Sequence, residues 1–200
     1  MDKFFQDLYP EAGCDEAGRG CLAGPVFAAA VIFPPDYFND KINDSKQLSE
    51  KKRFALREEI IRDAITYGVA SCSNIEIDKI NILNASILAM HRALEMLNPQ
   101  PKFIIVDGNK FKPYQTIPYK TVVKGDSLYL SIAAASILAK TFRDEWITNA
   151  SKEYPCYNWQ KNKGYPTKDH RLAIRQYGVC PLHRLTYGPC QIDGELKFGE

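Results

Sequence analysis

Apolar positions along this 200-residue chain recur with two spacings, which predict a mixture of strands and helices. Apolar runs predict strands at 25–33, 102–106 and 119–123, a glycine-interrupted run predicts another at 13–21, and 69–77 is a further strand candidate. Steps of three and four predict helices from the Ser49 cap to about Tyr67, over 81–97 and over 127–151, with a last helix from Thr167 to Tyr177. A hairpin at the start, followed by strands that alternate with helices, predicts the α/β class: a mixed sheet with helices on its faces.

The chain shows no repeat, no linker-like composition and no low-complexity segment. Apolar residues make up 45% of it, which is typical of a folded protein with a sizeable core. We therefore expect a single domain over residues 1–200, with a short tail.

Net charge is only +2, but its distribution is uneven. Between Lys152 and Arg184 there are seven Lys and Arg residues against two acids. A basic surface of this kind indicates a polyanionic partner, although a solvated helix face accounts for the charges equally well.

Six cysteines occur without C-x-x-C spacing, so neither a zinc site nor a redox dithiol is indicated. The N-terminus lacks the apolar core of a signal peptide, and the apolar run 26–33 is too short to span a bilayer. We expect a soluble, cytoplasmic protein with reduced thiols and no membrane association.

Four acids share a position at or near a predicted strand. Asp15 and Glu16 precede the Gly18-Arg19-Gly20 turn, Asp107 ends a central strand, and Asp126 lies at a strand-to-helix junction. Strand ends converge in sheets of this class, and clustered carboxylates repel unless a cation meets them. Two divalent ions held there would form a phosphodiester-cleaving centre.

Each acid also has a simpler interpretation. Asp107-Gly108 is an ordinary turn dipeptide, Asp126 suits a helix N-cap, and Glu16 could pair with Arg19. Neighbours on a strand point to opposite faces, so Asp15 and Glu16 reach one ion only if the segment twists or if Glu16 uses its backbone carbonyl. We expect Asp15 to bridge the ions.

The chain resembles ribonuclease HII, the type 2 ribonuclease H family. The motifs that carry the resemblance keep the family's order and span roughly residues 11–189. They are Asp15-Glu16-Ala17-Gly18-Arg19-Gly20, Gly24-Pro25-Val26, Asp44-Ser45-Lys46, Val106-Asp107-Gly108, Lys124-Gly125-Asp126, Ala135 to Lys140, Arg143-Asp144, Gly164-Tyr165-Pro166-Thr167 and His183-Arg184. One departure follows His183-Arg184, where Leu185 stands in place of a basic residue that the family often carries.

The resemblance implies a ribonuclease H-like fold and an endonuclease that depends on Mg²⁺ or Mn²⁺. Its substrate would be RNA paired to DNA, including a single ribonucleotide within duplex DNA, cut on the 5′ side to leave 3′-hydroxyl and 5′-phosphate ends. The catalytic, metal-binding acids of the family correspond to Asp15, Glu16, Asp107 and Asp126.

The resemblance also implies two elements that read the sugar. Gly18-Arg19-Gly20 corresponds to the turn that senses the ribose 2′-hydroxyl, and Tyr165 to the aromatic residue that stacks on the adjoining deoxyribose. A 2′-hydroxyl both donates and accepts hydrogen bonds, so backbone groups of a glycine turn can recognise it. Tyr165 could instead hold its own turn, and Lys46, a candidate phosphate contact, could be a solvated loop lysine.

Three alternatives remain at this stage. A type 3 ribonuclease H shares the two-acid opening but usually carries an N-terminal domain, for which Asp15 lies too close to Met1. A catalytically silent nucleic-acid-binding module is disfavoured by the presence of all four acids. A DNA-directed nuclease of the same general fold is the third. The expected protein is a monomer.

Overall fold

The computed structural model describes residues 1–43, 45 and 48–191. Within these residues the chain forms five strands and five α-helices. The strands are β1 Glu11–Ala17, β2 Val26–Ile32, β3 Thr66–Cys72, β4 Phe103–Asp107 and β5 Tyr119–Val122. The helices are α1 Glu50–Asp63, α2 Asn74–Glu95, α3 Leu130–Ala150, α4 Trp159–Asn162 and α5 Lys168–Tyr177. No helix in this described part of the chain is long and apolar enough to cross a bilayer.

The strands form one mixed sheet in the order β3-β2-β1-β4-β5, which confirms the predicted fold class. β2 pairs antiparallel with both β1 and β3, whereas β4 pairs parallel with both β1 and β5. Cys14 lies opposite Val106 in the parallel pair. The next residues, Asp15 and Asp107, therefore lie side by side near the ends of these two parallel strands.

Helices cover both faces of the sheet. α2 packs on one face with Ala12 and Cys14 of β1, and α1 and α3 pack on the other. At Gly13 a Cβ atom would collide with the backbone of Ser131, so α3 lies directly against β1. This close approach brings the first turns of α3 to the end of β1 that carries the acids.

A third apolar cluster joins the loop after β1 to the C-terminal elements. Leu22 and Ala23 pack there with the buried Trp159 and with Ile174 of α5. Thr167 caps α5 as predicted, because its side-chain oxygen accepts a hydrogen bond from the backbone of His170 at 3.2 Å. The segment 154–166 contains a 3₁₀ turn and the short helix α4.

Two predicted boundaries are wrong around β3. The helix predicted to reach Tyr67 ends at Asp63, because residues 66–72 pair with the whole of β2 instead. The strand predicted to continue to 77 ends at Cys72, since Ser73 and Glu76 form a reciprocal capping box that starts α2 at Asn74. A kink at Asn81, with φ +63°, lies where that helix was predicted to begin.

The start of α3 also differs from the prediction. Residues Gly125–Ser127 form a 3₁₀ turn, and the α-helix begins only at Leu130 with Tyr129 as its N-cap. Asp126 is therefore not the cap of this helix. It lies buried in the 3₁₀ turn instead.

Candidate active site

A cavity of about 280 Å³ opens where β1 ends. Its walls consist of acids, a glycine-containing turn and a set of polar or cationic side chains. The acids are Asp15, Glu16 and Asp107, the turn is residues 17–20, and the remaining side chains are Ser45, Arg53, Ser136, Lys140 and Tyr165. The sheet and α3 thus bring together residues that lie far apart in the sequence.

Asp15 occupies the inner wall of the cavity and is 5% exposed. Its carboxylate accepts hydrogen bonds from the backbone amide of Glu16 at 2.7 Å and from the Ser136 hydroxyl of α3. Ser45 in turn lies 2.9 Å from Ser136, oxygen to oxygen. Ser136 thus holds the Asp15 carboxylate in place, and Ser45 supports Ser136.

The carboxylates repel one another. Burial raises the pKa of Asp15 well above its usual range, the charges of Glu16 and Asp107 raise it further, and the bonds from Ser136 and the Glu16 amide lower it. Burial also raises the pKa of Glu16, which Arg19 lowers and Asp107 raises. This electrostatic arrangement favours a bound cation.

Glu16 and Arg19 form an ion pair at 3.1 Å, as the simpler interpretation of Glu16 proposed. The Glu16 side chain nevertheless lines the cavity together with Asp15, although the two are neighbours on a strand. β1 pairs regularly with β2 at Asp15 and at Glu16, so no bulge turns the two side chains to one face. Both reach the cavity because they lie near the end of β1. The ion pair and the cavity position are therefore compatible.

Asp107 ends β4 and faces the cavity. One of its carboxylate oxygens accepts a hydrogen bond from the Gly125 amide at 2.7 Å, which ties β4 to the 3₁₀ turn. Asp126, the next residue, is 4% exposed, and its side chain is not among those that line the cavity. The structure thus brings three of the predicted acids to the cavity, and the fourth follows Gly125, whose amide bonds to Asp107.

The donor chemistry of the cavity suits a hard divalent ion, because carboxylate oxygens are the ligands that Mg²⁺ and Mn²⁺ prefer. Among the described residues, however, no group of three or more His, Cys, Asp or Glu side chains forms a ready-made metal cage. Mg²⁺ sites commonly use one or two carboxylates and complete their coordination with water and substrate phosphate. The acids fit such an open site better than a closed one.

The Gly18-Arg19-Gly20 turn forms the rim beside Glu16. Gly18 has φ +97°, and a Cβ atom there would collide with the guanidinium of Arg143, so this position requires glycine. At Gly20 a Cβ atom would meet nothing within 4 Å. Open space at Gly20 leaves room for another molecule to approach the backbone.

Tyr165 forms part of the cavity wall and is 37% exposed. The Lys140 ammonium and the Arg143 guanidinium carbon lie 5.3 and 5.8 Å from the centre of its ring. Its hydroxyl interacts with the buried Cys21 thiol, in the loop that follows the glycine turn. The ring is therefore anchored at its edge and remains open to the cavity.

Lys46, predicted as a phosphate contact, lies outside the described residues. Arg53 is a cavity residue that sequence reasoning missed. Its guanidinium donates to the Ser45 carbonyl at 2.9 Å. The Ser49 cap predicted the helix that carries Arg53. Which face of that helix lies toward the cavity depends on tertiary packing, so the sequence did not identify Arg53.

The fold and this cavity define the class of the protein: a ribonuclease H-like sheet with acids grouped at the ends of two adjacent parallel strands. The ribonuclease H2 of Pyrococcus horikoshii OT3 has the same fold, with a TM-score of 0.76, 26% identity, and coverage of 90% of this chain and 95% of that one. Bst-RNase HIII in complex with Mn²⁺ shares the fold at 18% identity and TM-score 0.72, covering 90% of this chain and 68% of that one.

The family model described as Ribonuclease HII matches residues 12–190. A Bacteroides fragilis protein named Ribonuclease HII is 61% identical over 188 residues, which cover 94% of this chain and 93% of that protein. The chain belongs to the ribonuclease HII family and is a ribonuclease H enzyme. This result excludes both the type 3 family and the catalytically silent binding module as alternatives.

Proposed function

We propose that this protein hydrolyses the RNA strand of RNA–DNA hybrids and cuts on the 5′ side of single ribonucleotides embedded in duplex DNA. The products carry 3′-hydroxyl and 5′-phosphate ends. The observation that carries this proposal is the shared cavity, in which three acids, the Gly18–Gly20 turn and Tyr165 face the same space. The enzyme acts as a monomeric single domain in the cytoplasm, where its six free cysteines stay reduced.

Asp15, Glu16, Asp107 and Asp126 are the proposed ligands of Mg²⁺ or Mn²⁺. Two bound ions would supply an activated water and stabilise the charge that develops on the leaving oxygen. The raised pKa values of Asp15 and Glu16 support this role, because buried carboxylates that repel one another are stabilised by a cation. Ser136 and Gly125 orient Asp15 and Asp107 toward the site.

Sugar recognition is assigned to two elements on the cavity wall. The backbone of Gly18-Arg19-Gly20 reads the 2′-hydroxyl, and the Tyr165 ring packs against the neighbouring deoxyribose. Open space at Gly20 and the partial exposure of Tyr165 support these roles. Arg19 and Lys46 are the proposed phosphate contacts, Arg19 with a side chain that is 49% exposed.

Cleavage of a DNA duplex with one central ribonucleotide tests the proposal, with an all-DNA duplex of the same sequence alongside. We expect cutting only at the ribonucleotide, only with Mg²⁺ or Mn²⁺, and loss of cutting after chelation. Asp107→Asn and Asp126→Asn should each slow it by roughly 100-fold or more. The matched control is Asp169→Asn, an exposed acid in the first turn of α5.

Two outcomes would contradict the proposal. Cutting of the all-DNA duplex at a similar rate would exclude the 2′-hydroxyl as the recognised group, and would favour the DNA-directed nuclease. Wild-type rates in both Asn variants would remove these acids from the catalytic site.

A further inference from the structure

Two side chains from the C-terminal segment converge on one carbonyl of the glycine turn. The Arg184 guanidinium donates to the Arg19 carbonyl at 2.8 Å, and the Tyr187 hydroxyl donates to the same oxygen at 2.8 Å. Arg184 also donates to the Tyr187 hydroxyl at 3.1 Å and lies over its ring. We call this set of three bonds the Arg184–Tyr187 clamp.

The clamp rests on a rigid base. Arg184 is fully buried and donates through Nε to the Gly24 carbonyl at 2.9 Å. Its backbone amide donates to the Leu22 carbonyl at 2.8 Å. Because the backbone and the guanidinium are anchored at Leu22 and Gly24, Arg184 ties the Arg19 carbonyl to the part of the loop that follows the turn.

The clamp determines which backbone group of the turn faces the cavity. A carbonyl oxygen has two lone pairs, and the Arg19 oxygen already receives two donors. In a planar trans peptide, the carbonyl and the following amide point in opposite directions. The Gly20 amide therefore points away from the clamp, and Gly20 is part of the cavity wall.

We propose that Arg184 and Tyr187 are positioning residues for sugar recognition: they hold the plane of the Arg19–Gly20 peptide so that the turn presents its amide to the ribose. This inference rests on the proposed function of the turn. Neither side chain needs to touch the substrate. The Arg19 side chain is held separately by Glu16, so the turn is fixed at both its backbone and its side chain.

Tyr187→Phe tests the clamp, because it removes one hydroxyl and keeps the ring. Tyr187 is only partly buried, so this variant should fold normally. Tyr9→Phe is the matched control, since the Tyr9 hydroxyl also donates to a backbone carbonyl, that of Phe33 at 3.2 Å, outside the cavity. The measurements are cleavage of the single-ribonucleotide duplex, binding of that duplex and of an all-DNA duplex, and amide hydrogen exchange over residues 18–20.

We expect Tyr187→Phe to lower kcat/KM for the ribonucleotide substrate by roughly 5- to 10-fold, the change produced by one net hydrogen bond. Amide exchange at 18–20 should accelerate, all-DNA binding should stay unchanged, and Tyr9→Phe should match wild type. Wild-type cleavage by Tyr187→Phe would overturn the clamp, as would equal weakening of both duplexes. A wild-type enzyme that ignores the ribonucleotide would instead refute the proposed function, and the inference with it.

Discussion

Acidification should destabilise the protein through a buried histidine pair behind Tyr165. His183 accepts a hydrogen bond at Nδ1 from the Cys180 amide at 2.9 Å, so its proton lies on Nε2, which is 3.2 Å from Nε2 of His170. Trp159 also donates to that His170 nitrogen, at 3.0 Å. The remaining His170 nitrogen, Nδ1, therefore carries the proton and meets the Tyr165 carbonyl at 3.0 Å.

This network requires both histidines to be neutral. Burial and the nearby His170 lower the pKa of His183 from 6.5 to about 4. Below pH 6.5 His183 binds a proton in the unfolded chain, whereas in the folded protein it stays neutral until about pH 4. The free energy of unfolding therefore falls as pH falls. A difference of this size corresponds to about 3 kcal/mol, a large part of the stability of a typical domain.

A second buried group acts in the opposite direction. Burial raises the pKa of Glu11 from 4.5 to about 7, so acidification through this range stabilises the folded state. The wild-type curve alone therefore mixes two opposing contributions. His183→Asn separates them, because Asn can still accept the Cys180 bond but does not titrate, while Glu11 is present in both proteins.

The assay is urea unfolding of wild type and His183→Asn at pH steps from 8 to 4.5, followed by tryptophan fluorescence. Trp159 contacts His183 directly, with ring centres 5.6 Å apart. We expect the destabilisation caused by the substitution to shrink by about 3 kcal/mol as pH falls. A destabilisation that stays constant over the whole range would refute the neutral, buried state of His183.

Substitutions at four further positions test other parts of the structure. Gly18→Ala should destabilise the fold by about 1–3 kcal/mol, because the position combines φ +97° with contact to Arg143, whereas Gly20→Ala should unfold like wild type but cut the ribonucleotide duplex more slowly. Glu11→Gln should stabilise the protein above pH 7 by up to about 3 kcal/mol relative to wild type, measured by urea unfolding at pH 8 and pH 5, with most of this gain lost at the lower pH. Tyr165→Phe should retain ribonucleotide cleavage, while Tyr165→Ala should lose roughly 5- to 100-fold in kcat/KM if the ring stacks on the sugar, and equal rates for the two variants would contradict stacking.

Local patterns predicted the elements whose signals lie within a few residues. The Thr167 cap and the strand ends at Asp107 and near Val122 follow from side-chain preferences and apolar runs. The boundary between β3 and α2 was predicted wrongly because pairing with β2 made residues 66–72 a strand. The Ser73–Glu76 capping box was a local signal that could have placed the start of α2 correctly.

The acids of the site were found by residue type and by their position beside glycines, but their orientations were not predictable. Asp15 and Asp107 reach the cavity because β1 and β4 pair in parallel with matching register. Asp126 has the same kind of sequence signal, yet the 3₁₀ turn places its side chain outside the cavity wall. The role of Ser136 depends on the close approach of α3 to β1 at Gly13.

By itself, the sequence predicted a mixed α/β sheet from local spacing, and a cation-binding centre from four acids at or near predicted strands. The two elements expected to read the sugar came from the resemblance of its motifs to ribonuclease HII. Only the tertiary structure decided which groups hold those elements in place. Arg184 reaches Arg19 across 165 positions of sequence, and no local pattern can specify that contact. It forms because the C-terminal segment packs against the loop after β1 and buries the Arg184 guanidinium. Buried donors are stabilised by hydrogen bonds, and here the backbone carbonyls of Arg19 and Gly24 accept them.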